Sequence, residues 1–306
     1  MKPALIFLTA ILTFMSSTNI RAEENSPTLD AELQRIEAHL PNELRPAQRL
    51  MARLLEQYPE HPQVNYYCGV IYGLRAGEGM LSAMRNAPKS RECTEKAVAL
   101  EPTNLKYQLA ALNYYLNAPS IVGGGEEKAR AKAADIAALD KLQGALAHLR
   151  VVNVFDNDNY TAALTQAVVE NPNEPSLELR LGLQKQAEGD YAHAHTLFMQ
   201  AARLHAGNTL SDDPEVRSAQ LNARYQVARN AVFSGIYVQE GIQSMEAYIH
   251  AFDTSLELPE LAWAHARMAQ LMSIAGNASG VETHGQLARQ LGNASDKALY
   301  ELLDRL

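Results

Sequence analysis

The chain has 306 residues, 47% of them hydrophobic and 20% charged, with a formal net charge of −8. Such a composition supports a buried core and excludes global disorder. The acidic balance argues against nucleic acid or anionic lipid as a partner, because both need a basic surface.

The predicted elements begin with an address. Residues 1–22 read MKPALIFLTAILTFMSSTNIRA. Lys2 gives a basic start, and Ala4 to Met15 is an uncharged apolar run with the length of a signal-peptide core, too short to span a membrane comfortably. Cleavage is expected after Ala22, with a cut near Ser17 as the alternative because Ile20 is larger than the small residue preferred at that point. An anchor that is never removed is the competing reading. No cysteine stands near the cut, so a lipoprotein anchor is not supported. Removal of 1–22 takes away Lys2 and Arg21, leaving 25 positive side chains against 35 acidic ones, a formal charge of −10. No second apolar run of about 18 residues follows, so no integral membrane segment is expected after removal.

Residues 23–306 then read as successive helical hairpins, ending near 59, 102, 141, 172, 206, 253 and 293. Ala47, Met51, Leu54 and Pro59 mark a second helix. Gly69 and Tyr72, then Lys96-Ala97 and Glu101-Pro102, mark a hairpin with about nine extra residues between its helices. Ala111 and Tyr114, then Ala129 and Ala133, mark the next, and residues 141–172 another. The cleanest unit is PSLELRLGLQKQAEGDYAHAHTLFMQAARLHAGN, from Pro175 to Asn208. Leu181-Gly182 lies mid-way in its first helix and Gly189-Asp190-Tyr191 makes the turn. Ala194, Phe198 and Ala201 recur on the second helix. Small residues at 182, 194 and 201 let antiparallel helices approach, while Phe198 fills the space toward the neighbouring hairpin. Ala228, Gly235, Gly241, Met245 and Tyr248 mark a further hairpin, and Ala269, Gly276 and Ala288 the last. Residues 295–306 read as a capping helix, and 208–216 and 252–259 as loops. Sustained period-two alternation is absent, so strands are not expected.

This spacing resembles the tetratricopeptide repeat, which implies an all-α helical-hairpin solenoid of about seven hairpins plus a C-terminal capping helix. The segments YYLNAPSIVGGGEEKARAKAADI, Gly241 to Tyr248 and AWAHARMA (262–269) are similar to those of a group of exported bacterial tetratricopeptide proteins without a settled activity. That resemblance implies a periplasmic location and protein or peptide binding. The last repeat departs from the pattern, with Val281 and Gly285 in place of the usual Ala and bulky residue, so looser packing is expected there.

Few constellations suggest chemistry. Gly123 to Gly125 precede Glu126 and Glu127, whose charges would repel a phosphate at the helix start, and no GK[ST] follows, so a structural turn is expected. His193 and His195 lie two apart, with His205 ten beyond; this is poor ligand geometry, and solvated surface histidines are expected. Asp156-Asn157-Asp158-Asn159 lacks the Gly and the acidic residue an EF-hand needs at Thr161 and Ala167, and reads as a polar turn with a helix N-cap. The triplets at Asn159, Asn277 and Asn293 match glycosylation acceptors but fall at turns where Asn is expected anyway. Cys68 and Cys93 fall on the two helices of one hairpin and are either a disulfide or two buried thiols. No nucleophile, metal or cofactor motif is present.

The expected function is therefore a periplasmic adaptor or scaffold, not an enzyme, with no cofactor. Its partner is a protein or peptide segment held in the concave groove of the first helices. Candidate groove residues are Tyr66, Val70, Gln108, Leu112, Leu179, Leu183, Gln186, Tyr225 and Arg229; aromatic and amide groups along an apolar trough suit such a segment. The alternative is a structural subunit of a cell-envelope complex that uses its convex face and ends. The insertions at 74–88 and 117–125 are the expected points of departure for specificity.

Overall fold

The computed structural model describes residues 28–203 and 209–306. The expected signal peptide, both cleavage positions, the hairpin end near 206 and His205 lie outside the described residues. Those described contain fifteen α-helices and no strand, and fall into two compact units, one ending at Glu101 and one beginning at Pro102. None of these helices is long and apolar enough to cross a membrane.

The first unit pairs α1 (Leu29–His39) with α2 (Leu44–Gln57), and α3 (Pro62–Ala76) with α4 (Met80–Leu100). Its core joins Leu33, Ile36, Met51, Leu54, Val64, Tyr67 and Ile71, all almost wholly buried. Tyr67 hydroxyl donates to Glu37 Oε1 across the two hairpins. Cys68 and Cys93 are bonded, with Cα atoms 5.7 Å apart, tying α3 to α4. Close approach of these helices also needs Gly69, where a Cβ would stand 2.2 Å from Thr94 Oγ1. The 74–88 stretch is not an excursion between helices. Gly77 ends α3 and Gly79, at φ 131°, precedes α4, so the turn is confined to 77–79 and residues 80–88, rich in Met, Leu, Ala and Arg, lengthen α4. They leave Met80, Leu81 and Met84 exposed.

The second unit holds five hairpins, α5 (Leu105–Asn117) with α6 (Glu126–Leu139), α7 (Lys141–Phe155) with α8 (Tyr160–Glu170), α9 (Pro175–Ala187) with α10 (Tyr191–Arg203), α11 (Pro214–Ser234) with α12 (Val238–His250), and α13 (Leu261–Ile274) with α14 (Ala278–Leu291), followed by α15 (Lys297–Leu303) against α13. Each second helix touches the next first helix (α6–α7, α8–α9, α10–α11, α12–α13), and first helices also touch one another (α5–α7, α9–α11, α11–α13). One helix pair cannot hide its apolar faces alone; neighbour packing does so for all of them. Helix starts are fixed by side-chain caps, as where Asp140 Oδ1 accepts from Gln143 N–H at 2.8 Å and Asp213 Oδ1 from Glu215 N–H at 2.9 Å. Pro175 and Pro214 occupy first-turn positions, where no N–H is missed.

Between α5 and α6 the glycine triplet makes a turn. Gly124 has no room for a side chain, since a Cβ would lie 2.0 Å from Ala118 O, and Gly125 N–H donates to Tyr115 O at 2.8 Å. After α7, Asn159 Nδ2 donates to Asp156 Oδ1, but no side chain caps α8. Asn277 does cap α14, accepting from Gly280 N–H at 3.0 Å. Near Leu210 the chain is non-helical only as far as Asp213, because Pro214 to Val216 already belong to α11. Around Gly285 a Cβ would meet nothing within 4 Å, and Ala288 is the buried residue of α14.

Candidate functional site

First helices of the second unit carry arginines that are held without being neutralised. On α7, Arg150 donates to Asn113 Oδ1 of α5 at 2.9 Å. On α11, Arg229 Nη1 donates to Gln186 Oε1 of α9 at 2.8 Å and to Gln226 Oε1 at 3.2 Å. On α13, Arg267 Nη1 donates to Gln270 Oε1 at 2.7 Å. Each acceptor is a neutral amide, which orients a guanidinium but leaves its charge in place. Among the described residues, no carboxylate oxygen lies within 4.0 Å of any of the three.

Two of these cations lie against one aromatic ring. The Arg229 guanidinium sits 4.6 Å from the ring centre of Phe233 and that of Arg267 sits 5.6 Å from it. Arg267 also lies 5.4 Å from the Trp263 ring, whose Nε1 donates to Asp296 Oδ2 at 2.8 Å. A four-residue spacing brings Arg229 over Phe233 and Arg267 over Trp263 on their own helices; the α11–α13 packing brings the two pairs together. Phe233 remains 41% exposed. Burial, and after it the charge of Arg267, push the Arg229 guanidinium below its ordinary value; burial does the same to Arg150. Both still carry full charge near neutrality, because a guanidinium starts so far above it. Arg267 Nε is buried with no hydrogen-bond partner among the described residues.

The residues singled out from the sequence divide by burial. Gln108, Leu112, Gln186 and Tyr225 are at most 7% exposed, so their side chains pack inward and cannot line an open trough. A first helix is packed on both flanks and buries more than one stripe, which corrects that part of the expectation. Gln108 spends its amide internally, donating to Pro102 O and accepting from Lys132. Gln186 supports the arginine face from beneath: it accepts from Arg229 and donates to Asn230 Oδ1 at 3.1 Å, while Asn230 donates to Tyr191 O. Leu179 is half-buried and Leu183 is 37% exposed on α9, the helix that carries Gln186. Tyr66 and Val70 belong to the first unit and are half-buried on α3, Tyr66 edge-on to Tyr67 at 5.0 Å. Burial and the Glu37 charge raise the Tyr66 hydroxyl above its ordinary value.

Phe233, Arg267 and Trp263 were missed. Their signal is visible in the sequence as two mirrored pairs at four-residue spacing, Arg229–Phe233 and Trp263–Arg267. The reading of His195 as a solvated surface residue is also corrected. It is 9% exposed, and its ring lies flat on Tyr237, 3.8 Å between centres at an interplanar angle of 6°. Tyr237 enters α12 with φ 61°, a left-handed conformation uncommon for an aromatic residue. His193 is exposed and bonds Asp190.

Comparison with known proteins bears on the fold. No family model and no curated protein matches the chain. A chain of the APC/C hetero-tetramer Cut9–Hcn1 is similar over 91% of this chain, with 13% identity and a TM-score of 0.51. Yeast Tom70 is similar over 97%, with 14% identity and a TM-score of 0.45, and a tetratricopeptide repeat protein from Parabacteroides merdae over 90%, with 10% and 0.43. This chain spans about half the Cut9–Hcn1 chain, 49% of its length. The chain has the tetratricopeptide-type fold, an all-α array of helical hairpins.

Proposed function

We propose that the chain is an interaction adaptor or scaffold that binds a protein segment on the first-helix face of its second unit. One observation carries this reading: Arg150, Arg229 and Arg267 stand on that face held by neutral amides, and the last two flank the part-exposed Phe233. Side chains with uncompensated charge beside an exposed ring suit a partner surface, and no step of covalent chemistry is implied by them. The Cut9–Hcn1 chain that shares the fold is itself part of a multi-chain assembly. A periplasmic location belongs to the same proposal, supported by the basic start and apolar run of residues 1–22 and by the Cys68–Cys93 bond.

A photo-crosslinking residue placed at Leu183 or at Phe233, with Thr165 on α8 as the control position, tests the face in intact cells. Adducts at the first two and not at the third support it; the same adducts from all three, or none, rule it out. Fractionation with N-terminal sequencing tests the compartment separately, and a cytosolic chain retaining Met1 would remove it.

The alternative, a structural subunit of an envelope complex, has one observation in its favour. A cleft of about 490 Å³ opens between α6, α7 and α8, lined by Ala133, Ala137, Gly144 and Ala145 and edged by Arg130 and Lys141. Light scattering separates the readings, since a stable monomer outside any envelope complex disfavours a structural subunit.

A further inference from the structure

We infer that the tip of the α3–α4 hairpin is a membrane-contact site, at which Met80, Leu81 and Met84 enter the interface of an anionic phospholipid bilayer and Arg85 meets its headgroups. The inference concerns the first unit and stands independently of the face proposed above.

Met80, Leu81 and Met84 are 81%, 82% and 69% exposed. Core packing does not call for them. The stripe of α4 that is buried runs through Asn86, Ala87, Ser90, Cys93, Thr94 and Ala97, with Ser90 Oγ donating to Gly69 O of α3 at 2.7 Å. At about 100° per residue, positions 80, 81 and 84 share an arc of about 100° outside that stripe. Leu74, in the last turn of α3, is exposed as well, so both helices present apolar side chains near their shared turn. Such a patch, unlike a single exposed side chain, marks a contact surface. An exposed helix crest suits a fluid interface, and flexible thioethers fill irregular packing.

The charges select the lipid. An apolar arc bordered by basic residues is the pattern of a helix that lies in a bilayer interface. Residues 75–91 hold Arg75, Arg85, Lys89 and Arg91 against Glu78 alone, a formal charge of +3 within a chain of −8. Arg85 is exposed beside Met84, and among the described residues no carboxylate oxygen lies within 4.0 Å of it. Arg75 pairs with Glu78 at 3.4 Å, which offsets the acid at the turn. Lys89 pairs with Glu92 at 3.1 Å and Arg91 with Glu95 at 3.9 Å; surface pairs of this kind are weak and exchange easily for phosphate. At about 1.5 Å per residue, Glu92 and Glu95 stand about 12 and about 17 Å beyond Met84 along α4, whereas Arg85 stands about 2 Å beyond it. Exposed charges are screened over about 8–10 Å, so a bilayer at the tip meets cations first and the acidity of the whole chain does not decide the contact. The Cys68–Cys93 bond braces the hairpin behind the arc.

The test floats the full chain with vesicles of phosphatidylcholine alone or mixed equally with phosphatidylglycerol. Partitioning onto the mixed vesicles is expected to be about tenfold stronger, with the margin shrinking in added salt. Met80→Ser, Leu81→Ser and Met84→Ser combined lower it about tenfold or more. Arg85→Glu removes most of the preference for the anionic lipid, whereas Arg305→Glu leaves it intact. Met80→Leu with Met84→Leu binds like the parent, since apolar area and not sulfur makes the contact. The fluorescence added by Leu81→Trp is quenched by brominated acyl chains while that of the native Trp263 is not, which separates insertion at the tip from binding through the apolar run of residues 4–15. The serine variant keeps the circular dichroism midpoint of the parent; should it fail to fold, Leu81→Asp alone serves. Equal flotation of parent and serine variant, or no quenching in Leu81→Trp, overturns the inference. Flotation of the parent with neither vesicle also overturns it, and if light scattering then shows a parent dimer that the serine variant loses, the arc belongs to a second copy of the chain instead.

Discussion

Gly182 faces the ring of Phe198 so closely that a Cβ on it would stand 2.5 Å from Cε1 and 2.7 Å from Cδ1. Phe198 is fully buried and packs with Ala194 and with Val227 of α11, so the ring has no free direction in which to yield. The contact therefore holds α9, α10 and α11 together through one missing methyl. Gly182→Ala is expected to destabilise the chain by about 1–3 kcal/mol through overpacking, despite the better helix propensity of alanine. Urea denaturation midpoints measure it; a variant as stable as the parent would show that the ring can move.

Glu178, on the same helix, is 6% exposed, and its Oε2 is buried with no hydrogen-bond partner among the described residues. Burial, and then the Glu174 charge, raise its carboxyl to about 7. The folded state thus holds the proton more tightly than the unfolded chain. The favourable contribution is complete below the ordinary carboxylate range and is lost as pH rises through about 7. Glu178→Gln should match the parent near pH 5 and exceed it by about 2 kcal/mol above pH 8. A pH series of unfolding midpoints decides, and a gain of equal size at both ends would mean that ionisation is not the cause.

The last hairpin has the opposite slope. His265 Nδ1 and His284 Nδ1 lie 3.0 Å apart, joining α13 to α14, so a neutral pair shares one proton along that line. Burial lowers both imidazoles, His284 further lowers His265, and Glu246 of α12 partly offsets the effect on His284. With folded values below the unfolded ones, stability is greatest above the ordinary histidine range and falls as pH drops through it. Hydrogen-exchange protection factors in α13 and α14, taken against the intrinsic rate at each pH, should fall between about pH 7 and 5, and His284→Gln should flatten that dependence while Glu178→Gln leaves it unchanged.

In the first unit, the Cys68–Cys93 bond closes a sequence separation of 25. A loop of that size gives a stabilisation of about 3 kcal/mol through the unfolded chain. Replacing both cysteines by serine should lower the midpoint of the far-ultraviolet circular dichroism transition and speed exchange in α3 and α4. Slow exchange retained there by the double variant would show that core packing, not the bond, holds the hairpin.

The fold was legible where small residues recur in register. Gly182, Ala194, Phe198 and Ala201 could be read because close helix contact permits little else at those spacings, and all four are buried. The groove was less legible for a physical reason. Helical periodicity shows that Leu112 and Tyr225 lie on an apolar stripe of a first helix, but such a helix has neighbours on both flanks, and the stripe alone does not say which side looks outward. Arg229 was found and Arg267 was not, because their relation passes across two helices through Phe233. His195 was misread in the same way: its partner Tyr237 lies beyond α11, 42 positions along the chain.

The order in which helices touch has a kinetic meaning. Among the described residues of the second unit, the helices in extensive contact are adjacent or next-but-one along the chain. A newly exposed hairpin needs only its predecessor as a template, and no strand must wait for a distant mate. Low sequence separation of contacts favours rapid assembly. The array is thus suited to vectorial folding, growing hairpin by hairpin as the polypeptide emerges, with the unburied rim moving forward until α15 closes over α13.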